Sequence, residues 1–271
     1  MTEDFTHTVL GGTGLKVHRL GLSASYRPGK DTVQKAYDIG MNYFFAYGFD
    51  TQMTHQLSDI ARTRRDKIII ATGAYNMILF RQNIRKTVEK RLRQFKTDYI
   101  DIFLYLGVMK PKQFPVQVKE ELYKLRDEGK IKHVGMSCHD RKFAGQMADN
   151  GELDTLMIRY NAAHRGAEED IFPYVKKNNT GVISYTATRW TYLIRRTVKD
   201  WPKSEPIPTA GMCYRFVLSN PSVHVCMTGP TNMKQFDENL RSLDEGPLNE
   251  EEMQFIKMYG DAVHNLKKWF M

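Results

Sequence analysis

Apolar residues along this chain collect into eight short runs, each a strand candidate bounded by turn-forming or polar residues. The runs are Val17–Leu22, Asn42–Phe45, Lys67–Thr72, Tyr99–Leu106, His133–Ser137, Leu156–Tyr160, Val182–Tyr185 and Val223–Met227. Between them the pattern changes to helical spacing. Helices are predicted over Asp31–Ile39, Gln82–Phe95, Phe114–Asp127 and Thr209–Leu218. In the second of these, Ile84, Val88, Leu92 and Phe95 form one apolar stripe, and Pro208 suits the start of the last. The tail from Leu248 to Trp269 opens on Asn249 followed by three glutamates and reads as a final amphipathic helix.

Strand and helix thus alternate at the spacing of a βα unit, with no Ser/Gly/Pro-rich linker. This predicts one (β/α)8 TIM barrel over residues 1–271. A doubly wound open sheet is the competitor. It would want a Gly-x-Gly-x-x-Gly turn after the first strand, whereas Gly11-Gly12-Thr13-Gly14 precedes that strand. Lying between Thr8-Val9-Leu10 and Lys16-Val17-His18, these glycines suit a β-hairpin turn. In such a barrel chemistry sits at the C-terminal ends of the strands.

Composition narrows the function classes. Apolar content of 41% fills a substantial core and excludes disorder. No apolar run reaches the ~18 residues of a membrane span. The polar segment Met1–His7 lacks the basic and apolar regions of a secretory signal. Cys138, Cys213 and Cys226 show neither disulfide nor metal spacing and suit a reducing cytoplasm. His7, His18, His55, His133, His224 and His264 have no ligand spacing either, so no metal site is expected. The net charge of +9 raises nucleic acid as a partner, but the cations alternate with Glu and Asp, as in Lys119–Glu128. That is the pattern of a solvated helix face, so a small molecule is the expected partner, with an anionic one among the candidates.

Gly40-Met41-Asn42-Tyr43-Phe44-Phe45 resembles the segment that carries the catalytic aspartate in aldo-keto reductases, with Phe45 in its place. Asp98-Tyr99-Ile100-Asp101, Gly129-Lys130-Ile131-Lys132-His133-Val134-Gly135-Met136-Ser137, Tyr160-Asn161 and Glu238-Asn239 after Thr228-Gly229-Pro230 resemble further segments of that family, in order. The resemblance covers nearly the whole chain. It implies a barrel closed at the bottom by a hairpin plug and an NAD(P)-dependent oxidoreductase activity. Conventional members use an Asp, Tyr, Lys, His tetrad. Counted without gaps, its positions fall here on Phe45, Asp50, Gly73 and Leu106. Hydride transfer leaves a developing alkoxide that needs a tuned acid, so the ordinary mechanism is not supported.

For the cofactor, the resemblance implies contacts from Ser137, Cys138, Arg159, Tyr185 and Thr186 at the nicotinamide end. Gly229, Thr231, Lys234, Gln235, Glu238 and Asn239 belong to the adenosine end, where Lys234 favours NADP over NAD. Tyr47, Tyr75 and His139 are replacement acids, or else packed tyrosines and a loop histidine. Substrate contacts are expected from Tyr105, Asn161, His164, Arg189 and Trp190, with Arg189 as the anion anchor and an Arg–Trp stack as its alternative. The loop with His164 and Arg165 is an anion site or a capped helix start, and Cys138 is read as inert rather than reactive. Two functions stay open. One is an oxidoreductase without the conventional tetrad. The other is a non-catalytic barrel that senses cofactor or binds a partner, similar in logic to potassium-channel β subunits.

Overall fold

The computed structural model describes residues 4–47, 49–76 and 82–266. A hairpin comes first, with β1 (His7–Val9) paired antiparallel to β2 (Lys16–His18). Eight parallel strands then close into a barrel: β3 (Leu20–Ser23), β4 (Tyr43–Phe45), β5 (Ile69–Tyr75), β6 (Ile100–Val108), β7 (Ile131–Cys138), β8 (Thr155–Arg159), β9 (Gly181–Tyr185) and β10 (Val225–Thr228). Pairing of β10 with both β9 and β3 completes the ring and excludes the open sheet. The predicted strand Val17–Leu22 is two strands, because the chain passes from hairpin to barrel wall at Arg19. The helices are α1 (Lys30–Asp38), α2 (Thr51–Arg64), α3 (Ile84–Phe95), α4 (Val116–Asp127), α5 (Arg141–Asn150), the single turns α6 (Ala167–Asp170) and α7 (Phe172–Val175), α8 (Ala210–Leu218), α9 (Met233–Arg241) and α10 (Glu250–Leu266). The predicted tail helix therefore begins at Glu250, and its stretch beyond Leu266 lies outside the described residues. No helix among the described residues is long and apolar enough to cross a membrane.

Period-two alternation along the strands divides the apolar residues into two sets. Tyr43, Phe45, Ile69, Ala71, Ile102, Leu104, Leu106, Met157, Ile183, Val225 and Met227 fill the barrel interior. The residues between them, such as Phe44, Ile70, Phe103, Val134, Leu156 and Val182, pack against the helices. Leu10 and Val17 of the hairpin join the inner set and plug its lower end. Gly11 makes that approach possible. Its φ is +49°, and a Cβ there would lie 2.4 Å from the Asn179 carbonyl oxygen and the Gly181 nitrogen.

Helix starts follow from side-chain caps. Asp50, Asn83, Asp140, Thr209 and Asn232 each accept a backbone N–H of the first turn of α2, α3, α5, α8 and α9. Arg215 of α8 staples the last helix to the ring. It is 5% exposed, donates to Gly246 O (2.8 Å) and Glu245 (2.6 Å), and holds Glu252 of α10 through two bonds of 2.7 and 2.8 Å. These bonds hold the Glu252 carboxyl below its ordinary range. Arg215→Met is expected to cost about 2–4 kcal/mol, since it strands several acceptors without replacing their donor. A carboxylate held low stabilises the fold above its unfolded pKa and loses that effect as pH falls through the folded one. Urea denaturation at pH 7 and pH 3 should therefore show a smaller difference between variant and parent at pH 3.

Candidate functional site

The C-terminal ends of the strands surround a cleft of about 330 Å³. Phe45 and Leu106 line its floor with Met157 and Met227, and Tyr47, Tyr75, Ser137, His139, Tyr185 and Gly229 stand around its walls. Strand parity explains this set. Phe45, Tyr75, Leu106, Ser137 and Tyr185 all fall on inward positions of β4, β5, β6, β7 and β9.

The four positions counted for the tetrad separate. Phe45 points inward, 2% exposed, its ring edge-on to Tyr47 at 4.8 Å. Gly73 pairs with Leu104 in the β5–β6 register. A Cβ at Gly73 would stand 2.1 Å from the Leu104 carbonyl oxygen and 2.8 Å from Leu106 Cγ. Leu106 thus occupies the space beside Gly73, and no side chain fits there without moving it. Asp50 is not at the mouth. It is 3% exposed and caps α2, its Oδ1 accepting the Gln52 N–H at 3.1 Å. The turn from β4 into α2 is short, and Tyr47 is the hydroxyl-bearing residue it leaves facing the cleft.

Tyr47 sits in an aromatic row. Its ring is 16° from parallel to Phe49 at 5.2 Å and 15° from parallel to Tyr75 at 6.3 Å. Its hydroxyl accepts from Ser25 Oγ at 3.2 Å, and Ser25 is hydrogen-bonded in turn to Ser23 at 2.7 Å. Ser23 and Ser25 were missing from the sequence expectations, although applying the strand-end rule to β3 as well would have found both. Tyr26 and Tyr214, which also line the cleft, carried no sequence signal of their own, while Thr188 lies in the strand end next to Arg189 and Trp190.

Several expected site residues lie elsewhere. Tyr105 has outward parity, is fully buried, and packs 5.7 Å from Phe114 behind the wall. Cys138 is likewise outward, donates to Asp140 O at 3.2 Å, and has its thiol pushed up to about 12 by burial. It stands behind the cleft wall, outside the lining residues, and burial keeps its thiol protonated at neutral pH. Arg189 is not the mouth anchor. It is 1% exposed and donates to the Val263 carbonyl of α10, with Tyr192 5.6 Å from its guanidinium. Trp190, 45% exposed, does line the rim. Asn161 braces the wall, donating to Thr186 O (2.9 Å) and accepting from Ala163 N (3.1 Å).

Arg159 and His164 border a small void next to the cleft, together with His139 and Arg141. Past β10, Gln235 accepts from both the N–H and the hydroxyl of Thr231 at 2.9 Å. Asn239 turns inward to Thr228 Oγ1 at 2.9 Å, whereas Lys234 is exposed and 4.0 Å from Glu238. Among the described residues no three His, Cys, Asp or Glu side chains converge as a metal site would require.

None of the described residues that line the cleft is Asp, Glu, Lys or Arg. Burial raises the Tyr75 and Tyr185 phenols above their ordinary range. His139 is held below the usual imidazole range by burial first and by the Arg159 charge second. Its Nδ1 is buried and has no hydrogen-bond partner among the described residues.

A closed parallel barrel, plugged below and open above onto a cleft built from strand ends, is an enzyme-type (β/α)8 architecture. The chain belongs to the aldo/keto reductase family, whose model matches residues 9–260. It is similar to L-galactose dehydrogenase of Arabidopsis thaliana, 23% identical with 95% of each chain covered. In fold it resembles the holo form of aldo-keto reductase AKR11C1 from Bacillus halodurans (TM-score 0.78, 19% identity, 95% and 97% covered). It also resembles an aldo/keto reductase from Klebsiella pneumoniae in complex with NADP and acetate (TM-score 0.75, 21% identity, 94% and 95% covered).

Neutral histidines make the fold acid-sensitive. Burial pushes His164 down to about 3 and His224 to about 4, and lowers His18, His133 and His139 as well. Unfolded histidines bind protons near pH ~6.5 that these refuse until lower pH, so stability rises with pH across that window. Denaturation midpoints should fall as pH drops from 7 to 5, and His164→Gln should make that slope shallower. A flat profile would contradict the burial assigned here.

Proposed function

We propose that the chain is an NAD(P)-binding oxidoreductase of the aldo-keto reductase family that works without the conventional tetrad. The observation that carries this is the inward placement of Ser137 on β7 and Tyr185 on β9, in the cleft that Phe45 and Leu106 floor. The residues present fit a dinucleotide. Ser137 and Tyr185 would hold the nicotinamide end, while the bare backbone at Gly229 leads toward the turn tied by Thr231 and Gln235. A Cβ at Gly229 would meet the Tyr26 ring at 2.9 Å, so this edge of the cleft is open only because it lacks a side chain. A bound nicotinamide supplies or accepts the hydride.

This chain's own task is the proton at the substrate oxygen. Tyr47 is the leading donor because Ser25, exposed to solvent and held by Ser23, hydrogen-bonds its oxygen and can return a proton to it. Tyr75 and His139 are the alternatives. Lys234 and the NADP named in the Klebsiella structure favour NADP over NAD. Three buried free cysteines support a reducing cytoplasmic setting.

A second reading, a non-catalytic cofactor-binding barrel, draws on the absence of any cation or carboxylate among the described lining residues. The two are separated by turnover. Fluorescence titration is expected to give saturable NADP binding that Tyr185→Ala weakens about tenfold. Lys234→Ala should weaken NADP a few-fold and leave NAD unchanged, given its exposed side chain. Under the first reading Tyr47→Phe lowers kcat on a carbonyl panel by about 10²–10⁴ with dinucleotide affinity unchanged. Tight binding with no turnover across the panel supports the second reading, and failure to bind either dinucleotide sinks both.

A further inference from the structure

Charged residues make up 26% of this chain, yet none lies among the twenty described residues that line the cleft. Aromatic residues make up 11% of the chain and seven of those twenty. The floor between Phe45 and Leu106 is apolar, and the rings of Tyr47 and Tyr75 lie within 15° of a common plane direction. Phe49, 62% exposed, continues the same row to solvent, and Trp190 stands at the rim. Hydroxyls are the polar groups that this half of the cleft offers, chiefly those of Tyr47 and Ser25.

We infer that the substrate half of the cleft takes an uncharged, planar, conjugated carbonyl compound, an aryl ketone or aldehyde, stacked against the Tyr47–Tyr75 wall. The inference rests on the oxidoreductase reading above for the word substrate, but its binding argument does not need it. Flat π-systems gain from offset or edge-on contact with aromatic rings beyond the area they bury. A carboxylate on the same molecule would enter a cleft with no cation among its described lining residues, Arg159 lying beyond them at the adjoining void, and would lose its hydration there. The carbonyl oxygen is the one acceptor such a ligand must satisfy, and the Tyr47 hydroxyl, whose oxygen already accepts from Ser25, has its proton free to donate to it. His139, neutral at physiological pH, adds no charge that would alter this preference.

Calorimetry with three matched ketones tests this, with and without saturating NADP: 2-acetylnaphthalene, its saturated counterpart 2-acetyldecalin, and the carboxylated 6-acetyl-2-naphthoate. The aromatic ketone is expected to bind about three- to tenfold tighter than the saturated one, with the carboxylate weakest. Tyr75→Leu, and separately Trp190→Leu, should reduce the aromatic preference to within about twofold. An unchanged NADP affinity and melting temperature show that each variant is folded. Equal binding of the first two ketones, tightest binding of the naphthoate, or no ketone binding by a protein that binds NADP overturns the inference and leaves the oxidoreductase reading standing. The expected ranking in a protein that fails to bind dinucleotide does the reverse. Failure to bind either kind of ligand removes both.

Discussion

Leu106 packs into the space that Gly73 leaves empty, and the character of the whole mouth depends on that contact. In a closed barrel every strand sends alternate side chains inward, so neighbouring strands must share a fixed interior volume. A residue without a Cβ on β5 allows a branched apolar side chain on β6 to lie flat beside it. With Phe45, Met157 and Met227 at similar depth, the floor becomes apolar from wall to wall. A lysine or aspartate at this level would have to be desolvated without a partner, at a cost of several kcal/mol. Polar groups are accordingly displaced upward to the rim, where Ser25, Tyr47, Tyr75 and His139 are found.

The architecture was largely legible because its signals are local and repeated. Eight apolar runs, capped helices between them and a glycine turn before the first all reappear in the barrel, the helix ring and the plug. The site was legible to the extent that parity along a strand was respected. Ser137 and Tyr185 share the inward parity of their strands and line the cleft. Cys138 and Tyr105 sit one residue away from inward positions and face the helices, a difference that period two already contains.

Other misses had no such remedy. Asp50 was reached by counting along the turn between β4 and α2, and the structure uses it as the cap of that helix. Arg189 follows β9 in a run where Thr186, Arg189, Trp190 and Thr191 all have positive φ. Such left-handed residues reverse the chain within a turn, and the arginine swings beneath α10 while the tryptophan next to it faces the rim. Nothing in the one-dimensional pattern announces four non-glycine residues in that conformation. The long reach of Arg215 from α8 to Glu252 on α10 was hidden for the same reason, since both residues look like ordinary surface charges in the sequence.

A basic chain whose described cleft lining carries no charge divides recognition between two ranges. Net charge acts over roughly a Debye length, about 8 Å at physiological salt, and raises the local concentration of an anionic dinucleotide without specifying how it sits. Inside the cleft no described lining residue carries a formal charge and burial holds His139 neutral, with Arg159 acting from the adjoining void. Discrimination there falls to shape, ring contact and a few hydroxyls. It also changes what catalysis requires on the proposed reading. Burial holds the Tyr75 and Tyr185 phenols up and outweighs the opposing charges of Arg91 and Arg159, so on that reading a developing alkoxide is met by a proton that arrives with the transfer. The hydrogen-bonded pair of Ser25 and Tyr47, one end open to solvent, is the part of this cleft built to supply it.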